Sequence, residues 1–259
     1  MKFPSRDPNS HKGEQGKVLI VGGDHLYYGA PIFTALGAEQ SGADLITLFL
    51  PEEHLETAKH YSLNLFLRPF VKGNLGLKDI GLIIEAASQN QVLIIGNGIG
   101  RDPDTVKALI TILKEVKIPV VLDAEALIPE ILDISEKSNW LLTPHQGEFK
   151  RLFGNEATET DVVAAAANHG LNLLVKAPMD LIASPSRIEL NGTGCAQMRV
   201  GGTGDALAGI AGSFIAQGME IFDAALSAAY LFGKCGEELA QKQNTFTTLE
   251  LVRTFSKRI

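Results

Sequence analysis

Five consecutive residues, Gly201-Gly202-Thr203-Gly204-Asp205, carry the plainest chemical signal in this chain. Behind them apolar side chains recur at Leu207, Ile210, Ala211, Phe214 and Ile215, the spacing of one helical face. The first turn of a helix has N–H groups without internal partners and carries the positive end of the dipole. Glycines there let the backbone close on a ligand. The loop therefore predicts an anion site, for a phosphate or for charge developing in a transition state. A carboxylate inside such a site opposes the anion unless it has a task, such as taking a proton from a hydroxyl beside it. The blander reading is that Asp205 only caps the helix.

Other reactive residue types stand at the ends of short apolar runs. Gly22-Gly23 follows Lys17–Val21, Gly96-Asn97-Gly98-Ile99-Gly100 follows Gln91–Ile95, and Asp123 follows Pro119–Leu122. His145 comes just after Trp140–Leu142, and Lys176 ends Leu171–Val175. Such runs read as buried parallel strands. Asp44–Leu50 and Leu65–Val71 add two more, and Leu181–Ala183 with Ile188–Leu190 make two short strands about a Ser184-Pro185-Ser186 turn. Helices are expected from Gly29-Ala30-Pro31 to Ser41-Gly42, from Pro51, and after the Asp102-Pro103 pair, with Val106, Leu109, Ile110 and Leu113 facing inward. Thr143 with Gln146 fits a capping box with Pro144 first in the helix, which puts His145 in its first turn. Phe222–Leu239 is a largely buried helix, and Thr247 with Glu250 caps a last one.

Strands alternating with helices predict a mostly parallel sheet with helices on both faces, in one domain over 1–259 with 1–10 as a flexible lead-in. Ligands of such sheets bind beyond the carboxyl ends of the strands, where these candidates collect. Each keeps a structural alternative: His145 as a packing or capping residue, Lys176 as a solvated strand end, Asp123 as the cap of Ala124–Leu127. Lys12, among the glycines of His11–Gly16, either closes over a phosphate or belongs to the lead-in.

With 259 residues, 45% hydrophobic and 20% charged, the chain has an ordinary globular composition. A net charge of −7 argues against nucleic acid or an anionic membrane as partner. Two cysteines, Cys195 and Cys235, make no disulfide framework, and no Cys/His spacing suggests a metal held by the protein. The polar start and the lack of a long apolar run predict a cytoplasmic protein. No GxxxxGK[ST] or GxSxG is present, and GNGIG lacks the later glycine of a dinucleotide fingerprint.

The set HKG…G (His11–Gly16), VGG…YGAP (Val21–Pro31), GNGIGRD (Gly96–Asp102), LDAEAL (Leu122–Leu127), TPHQGE (Thr143–Glu148) and GGTGDALAGI (Gly201–Ile210) resembles the ADP/ATP-dependent NAD(P)H-hydrate dehydratases. The resemblance runs from about His11 to Gly236. It implies a ribokinase-like three-layer α/β/α sandwich and repair of hydrated nicotinamide cofactor (NADHX or NADPHX). ADP or ATP would be the co-substrate, with Mg2+ arriving on the nucleotide. It makes Asp205 the base and the backbone of Gly202, Thr203 and Gly204 the anion-stabilising donors. Ala30, Gly98, Gly100, His145 and Asp205 would contact the hydrate. Lys176, Ala177, Pro178, Met179, Asp180, Arg199 and Gly204 would contact the nucleotide. A homo-oligomer, a tetramer by preference, and a separate hydrate epimerase as functional partner also follow from it. The chain departs from the family pattern with Asn97 for proline, Ala177 for the glycine after the lysine, Asp180 for a small hydroxyl residue, Cys195-Ala196 for Asn-Pro, and Phe232 for histidine. Arg199 replaces a small residue, and a carboxylate at 180 would repel phosphates. The competing expectations are a small-molecule kinase of the same superfold, for a vitamin precursor or a sugar, and a nucleotide-binding relative without activity.

Overall fold

The computed structural model describes Pro4 and residues 8–256, so the expected lead-in falls mostly outside the described residues. In chain order the elements are β1 (Lys17–Val21), α1 (Gly29–Gln40), β2 (Leu45–Leu50), α2 (Leu55–Tyr61), β3 (Leu65–Pro69), α3 (Ile80–Ser88), β4 (Val92–Ile95), α4 (Pro103–Glu115) and β5 (Val120–Leu122). Then follow β6 (Trp140–Leu142), α5 (Gln146–Phe153), α6 (Glu159–His169), β7 (Asn172–Val175), β8 (Asp180–Ser184), β9 (Arg187–Asn191), α7 (Thr203–Ala216), α8 (Ile221–Ala240) and α9 (Thr248–Phe255). One nine-stranded sheet runs β3-β2-β1-β4-β5-β6-β7-β8-β9. Pairing is parallel from β3 to β7, and β8 and β9 join antiparallel as a hairpin at one edge.

Alternation along the strands builds the three layers. Val18, Ile20, Val92 and Ile94 face one core with α1, α7, α8 and α9. Leu19, Val21, Leu93 and Ile95 face the other, with α3, α4, α5 and α6. Helix α7 is buried along its whole length from Ala206 to Ala216, not on one stripe alone, because it lies between the sheet, α1 and α8.

Three local expectations change. Helices α3 and α6 add to the elements expected from sequence; α6 is alanine-rich and little amphipathic, so its period is faint. The buried face of α4 is Thr105, Ala108, Leu109, Ile112 and Leu113, with Val106 and Ile110 only half-buried. Thr105 turns this side inward by donating its hydroxyl to Leu75 O at 2.7 Å. The capping box is His145 with Glu148, not Thr143 with Gln146. Strand pairing explains the shift: Thr143 N donates to Leu122 O and Lys176 N to Pro144 O, so the chain stays extended through His145 before the helix starts.

Candidate active site

The order β2-β1-β4-β5 reverses between β1 and β4, and a crevice opens there at the carboxyl ends of the strands. Gly23 N donates to Asn97 O at 2.8 Å across that crevice. The first turn of α7 is brought to the same edge from the other side. Gly202 is its N-cap at φ 92°, a left-handed conformation, and a Cβ there would lie 2.4 Å from the Phe33 ring. Only glycine meets both conditions. The loop is pinned from behind: Thr248 donates its hydroxyl to Gly201 O at 2.7 Å, and Thr203 donates its own to Val200 O at 3.0 Å. The Thr203 N–H also turns toward Val200 O, at 3.4 Å, so it is partly engaged within the loop.

Asp205 ends a hydrogen-bonded chain that starts at Lys176. Asn97 Nδ2 donates to Asp205 Oδ1 at 2.7 Å and to Asp123 Oδ2 at 2.9 Å. Lys176 Nζ donates to Asp123 Oδ1 at 2.7 Å. The same ammonium sits 3.1 Å from where a Cβ of Gly204 would be, which fixes it beside the anion loop. Burial first, then the neighbouring Asp123 carboxylate, push the Asp205 carboxyl up to about 6, against the opposing pull of Asn97 and Lys176. Burial works against the charge on Lys176, but Asp123 and Glu148 outweigh it and hold the ammonium above its usual range. Glu148 is pushed up by burial, offset in part by Lys176 and by the His145 N–H.

The bland readings of three residues fall here. Asp205 makes no side-chain cap on α7, and Asp123 makes none on the turn after it. Lys176 is no solvated strand end, since it is ion-paired with a carboxylate only 2% exposed. His145 does cap α5: its Nδ1 accepts from Glu148 N at 3.1 Å, while Nε2 of the partly exposed ring lies 3.5 Å from Glu148 Oε1. The segment His11–Gly16 does not close over this site. Gly13 N and Gln15 N donate to Asp44 Oδ2, and Gly16 O accepts from Asp44 N, at the amino ends of β1 and β2.

The expected contact residues flank Asp205 in two groups. Ala30, Gly98 and Gly100 cluster on the β1–β4 side, where a Cβ on Gly98 would lie 3.5 Å from Ala30 Cβ and one on Gly100 3.2 Å from Asp24 Oδ2. On the other side a cavity of about 760 Å3 is lined by His145, Lys176, Ala177, Pro178, Asp180, Arg199, Gly204 and Phe232 among others. Met179 stays out of that lining; it is half-exposed, with its thioether against Gly192. Asp180 is less awkward than expected, because its carboxylate accepts from Ala177 N at 3.0 Å and Asn191 Nδ2 at 2.9 Å. Burial still raises its carboxyl, and those two bonds offset it. Phe232, 1% exposed, packs on the Phe255 ring and forms an apolar wall of the cavity. Two members of the network were not singled out for a role from sequence: Asn97 and Glu148. A polar residue between two glycines directly after a buried strand was the available signal for Asn97.

The profile of the family described as NAD(P)H-hydrate dehydratase matches residues 18–257. The ADP-dependent (S)-NAD(P)H-hydrate dehydratase of Cenarchaeum symbiosum is 38% identical over 90% of this chain and 84% of its own length. This chain belongs to the NAD(P)H-hydrate dehydratase family. A bifunctional NAD(P)H-hydrate repair enzyme of Methanothermobacter thermautotrophicus is 36% identical over 97% of this chain but only 51% of its own length. The chain thus spans about half of the bifunctional relatives it matches. Among solved structures, a ribokinase-like superfamily protein of Enterococcus faecalis superposes with a TM-score of 0.90 at 24% identity, covering 98% of this chain and 90% of the other. The ADP/ATP-dependent NAD(P)H-hydrate dehydratase of Bacillus subtilis, co-crystallised with ATP/Mg2+, superposes with a TM-score of 0.83 at 25% identity, covering 98% and 92%. The ribokinase-like α/β/α fold expected from the sequence is the fold of the family member. Among the described residues no helix is long and apolar enough to cross a membrane.

Proposed function

We propose that the chain performs ADP- or ATP-dependent dehydration of the S form of NADH or NADPH hydrate. The observation that carries the reading is a buried-side carboxylate, Asp205, at the head of a glycine loop with a charged lysine fixed beside it. Asp205 takes the proton of the hydrate's hydroxyl while that oxygen attacks the terminal phosphorus of the nucleotide. The bond from phosphorus to the bridging oxygen breaks, releasing ADP from ATP or AMP from ADP. The glycine N–H groups of the loop and Lys176 stabilise the charge on the transferring group, a preorganised array in which one donor is typically worth about 10²–10³ in rate. The phosphate then departs with the former hydroxyl oxygen, the adjacent ring carbon loses a proton, and the double bond returns.

The nucleotide is assigned to the cavity beside Lys176 and Arg199, and the hydrate to the face formed by Ala30, Gly98 and Gly100, with His145 contacting it from the lining of the nucleotide's cavity. A second cavity of about 910 Å3, lined by His25, Lys72, Asn74 and Asp102 at the same sheet edge, offers room for the rest of a dinucleotide. Mg2+ is assigned to the nucleotide's phosphates: Asp123 is taken up by Asn97 and Lys176, and Glu125 accepts from Gly98 N at 3.0 Å. The ion supplies charge neutralisation on those phosphates. The functional partner is an epimerase activity that interconverts the hydrate's two forms, and the working state is a homo-oligomer. Exposed apolar side chains near β3, Leu63 at 97% and Phe66 at 53%, support association.

The test is hydrated NADH with ADP and, in parallel, with ATP. Return of the reduced-nicotinamide absorbance together with released phosphate supports repair. A stable phosphorylated product with no absorbance gain would make the chain a kinase, and nucleotide binding without turnover would make it a non-catalytic relative.

A further inference from the structure

We propose that Asn97 is the positioning residue of the base, selecting which oxygen of Asp205 receives the hydroxyl proton. The proposal rests on the reading of Asp205 given above. Asn97 is fully buried, with its backbone held by the Gly23 N–H across the β1–β4 crevice. Its one amide nitrogen serves two carboxylates, Asp123 Oδ2 and Asp205 Oδ1, at 2.9 and 2.7 Å. Each takes one of the two amide hydrogens. The amide oxygen, Oδ1, is buried and has no hydrogen-bond partner. Both donors of the amide are thus committed, and its orientation is set at that end. Turning the amide would set its oxygen against both carboxylates, and Asp123 is kept in the charged form's partnership by Lys176 at 2.7 Å. The orientation is therefore locked from the Lys176 side.

Locking has a chemical consequence. One lone pair of Asp205 Oδ1 is occupied before substrate arrives, and the hydrogen bond lowers the basicity of that oxygen. Oδ2 is then the more basic oxygen for the incoming proton, and the carboxylate plane is fixed relative to the glycine loop. Asn97 also couples the two halves of the site, because a single side chain links the base to the ion pair that lies beside the anion loop.

The charged groups facing Asp205 are Asp123 and Glu125 on the segment after β5, which raise its carboxyl, and Lys176 after β7, which lowers it. Glu148, at the start of α5, acts on Lys176 behind them. Removing a hydrogen bond to the charged form moves an acid upward. The experiment measures kcat and KM for hydrate and nucleotide across pH in the parent, Asn97→Ala, Asn97→Asp and Asp205→Asn. Asn97→Ala should move the acid limb of kcat/KM upward by about one pH unit and lower kcat at neutral pH about tenfold, with both KM values within about threefold. Asn97→Asp keeps the shape and adds a third carboxylate, so its limb should move further than that of Asn97→Ala. Limbs that stay where the parent's is, or activity lost through KM alone, overturn the proposal. An active Asp205→Asn enzyme overturns the base assignment and the proposal with it. An inactive Asp205→Asn enzyme beside unmoved Asn97 limbs overturns the proposal alone.

Discussion

Substituting Asp205 by asparagine keeps the side chain's shape and removes its charge, so it separates the chemistry from the fold. The carboxyl rises from its ordinary 3.8 to about 6 in the folded chain, with burial the largest cause. A folded-state value above the unfolded one means that the native state holds the proton more tightly. This group therefore weakens the fold as pH rises from 3.8 to 6, and the whole cost persists at neutral pH. At about 1.36 kcal/mol per pH unit the cost is up to about 3 kcal/mol. Asp205→Asn relieves it and keeps an oxygen for the Asn97 amide. The melting midpoint should then rise by several degrees, at about 2–4 °C per kcal/mol for a chain of this size. Turnover should fall by about 10²–10⁴, the usual worth of a positioned base. In the parent enzyme the ionised base is about 90% of the total at pH 7 and about 10% at pH 5, so kcat/KM should fall about tenfold per pH unit below 6. The assays are calorimetric melting near pH 7 and the hydrate assay from pH 5 to 8. An Asp205→Asn protein that is less stable than the parent, or one with parental turnover, would refute the reasoning.

Lys176→Ala leaves Asp123, only 2% exposed, without its ion pair and should destabilise the chain by about 3–5 kcal/mol in urea unfolding. Lys176→Ala with Asp123→Asn should recover most of that stability but not activity; equal stability of Lys176→Ala and the parent would contradict the buried pair. Gly202→Ala forces a side chain to φ 92° and 2.4 Å from the Phe33 ring, so it should lower stability by roughly 2 kcal/mol or more and abolish turnover, with a fully active variant as the refuting outcome. Arg199→Ala removes an exposed cation from the cavity mouth and should weaken nucleotide binding by calorimetry more than hydrate binding; unchanged affinity for both would make Arg199 a bystander.

The sheet was legible because its strands are short apolar runs with both faces buried, and β1, β4, β5, β6 and β7 all lie where their runs predict them. The glycine loop was legible because N–H groups at a helix start and a carboxylate have a fixed chemistry wherever they occur. The α6 helix was not legible, since its alanines carry little periodic contrast. Nor was the capping residue of α5, which depends on where β6 stops pairing with β7.

What the sequence determined by itself is local: strand runs, helix starts, the Gly201–Asp205 loop, and the family motifs in their order. Tertiary structure alone decided which charges meet. Asn97, Asp123, Lys176 and Asp205 follow β4, β5 and β7 or open α7, and Asn97 is 108 residues from Asp205 in the chain. No spacing rule connects them; the parallel register of the strands brings their ends to one edge. Burial there, a property of the folded chain, raises the Asp205 carboxyl and joins Lys176 to Asp123. The loop alone predicts an anion site, and the partners assembled around it raise the Asp205 carboxyl to about 6, the range that suits the proposed base.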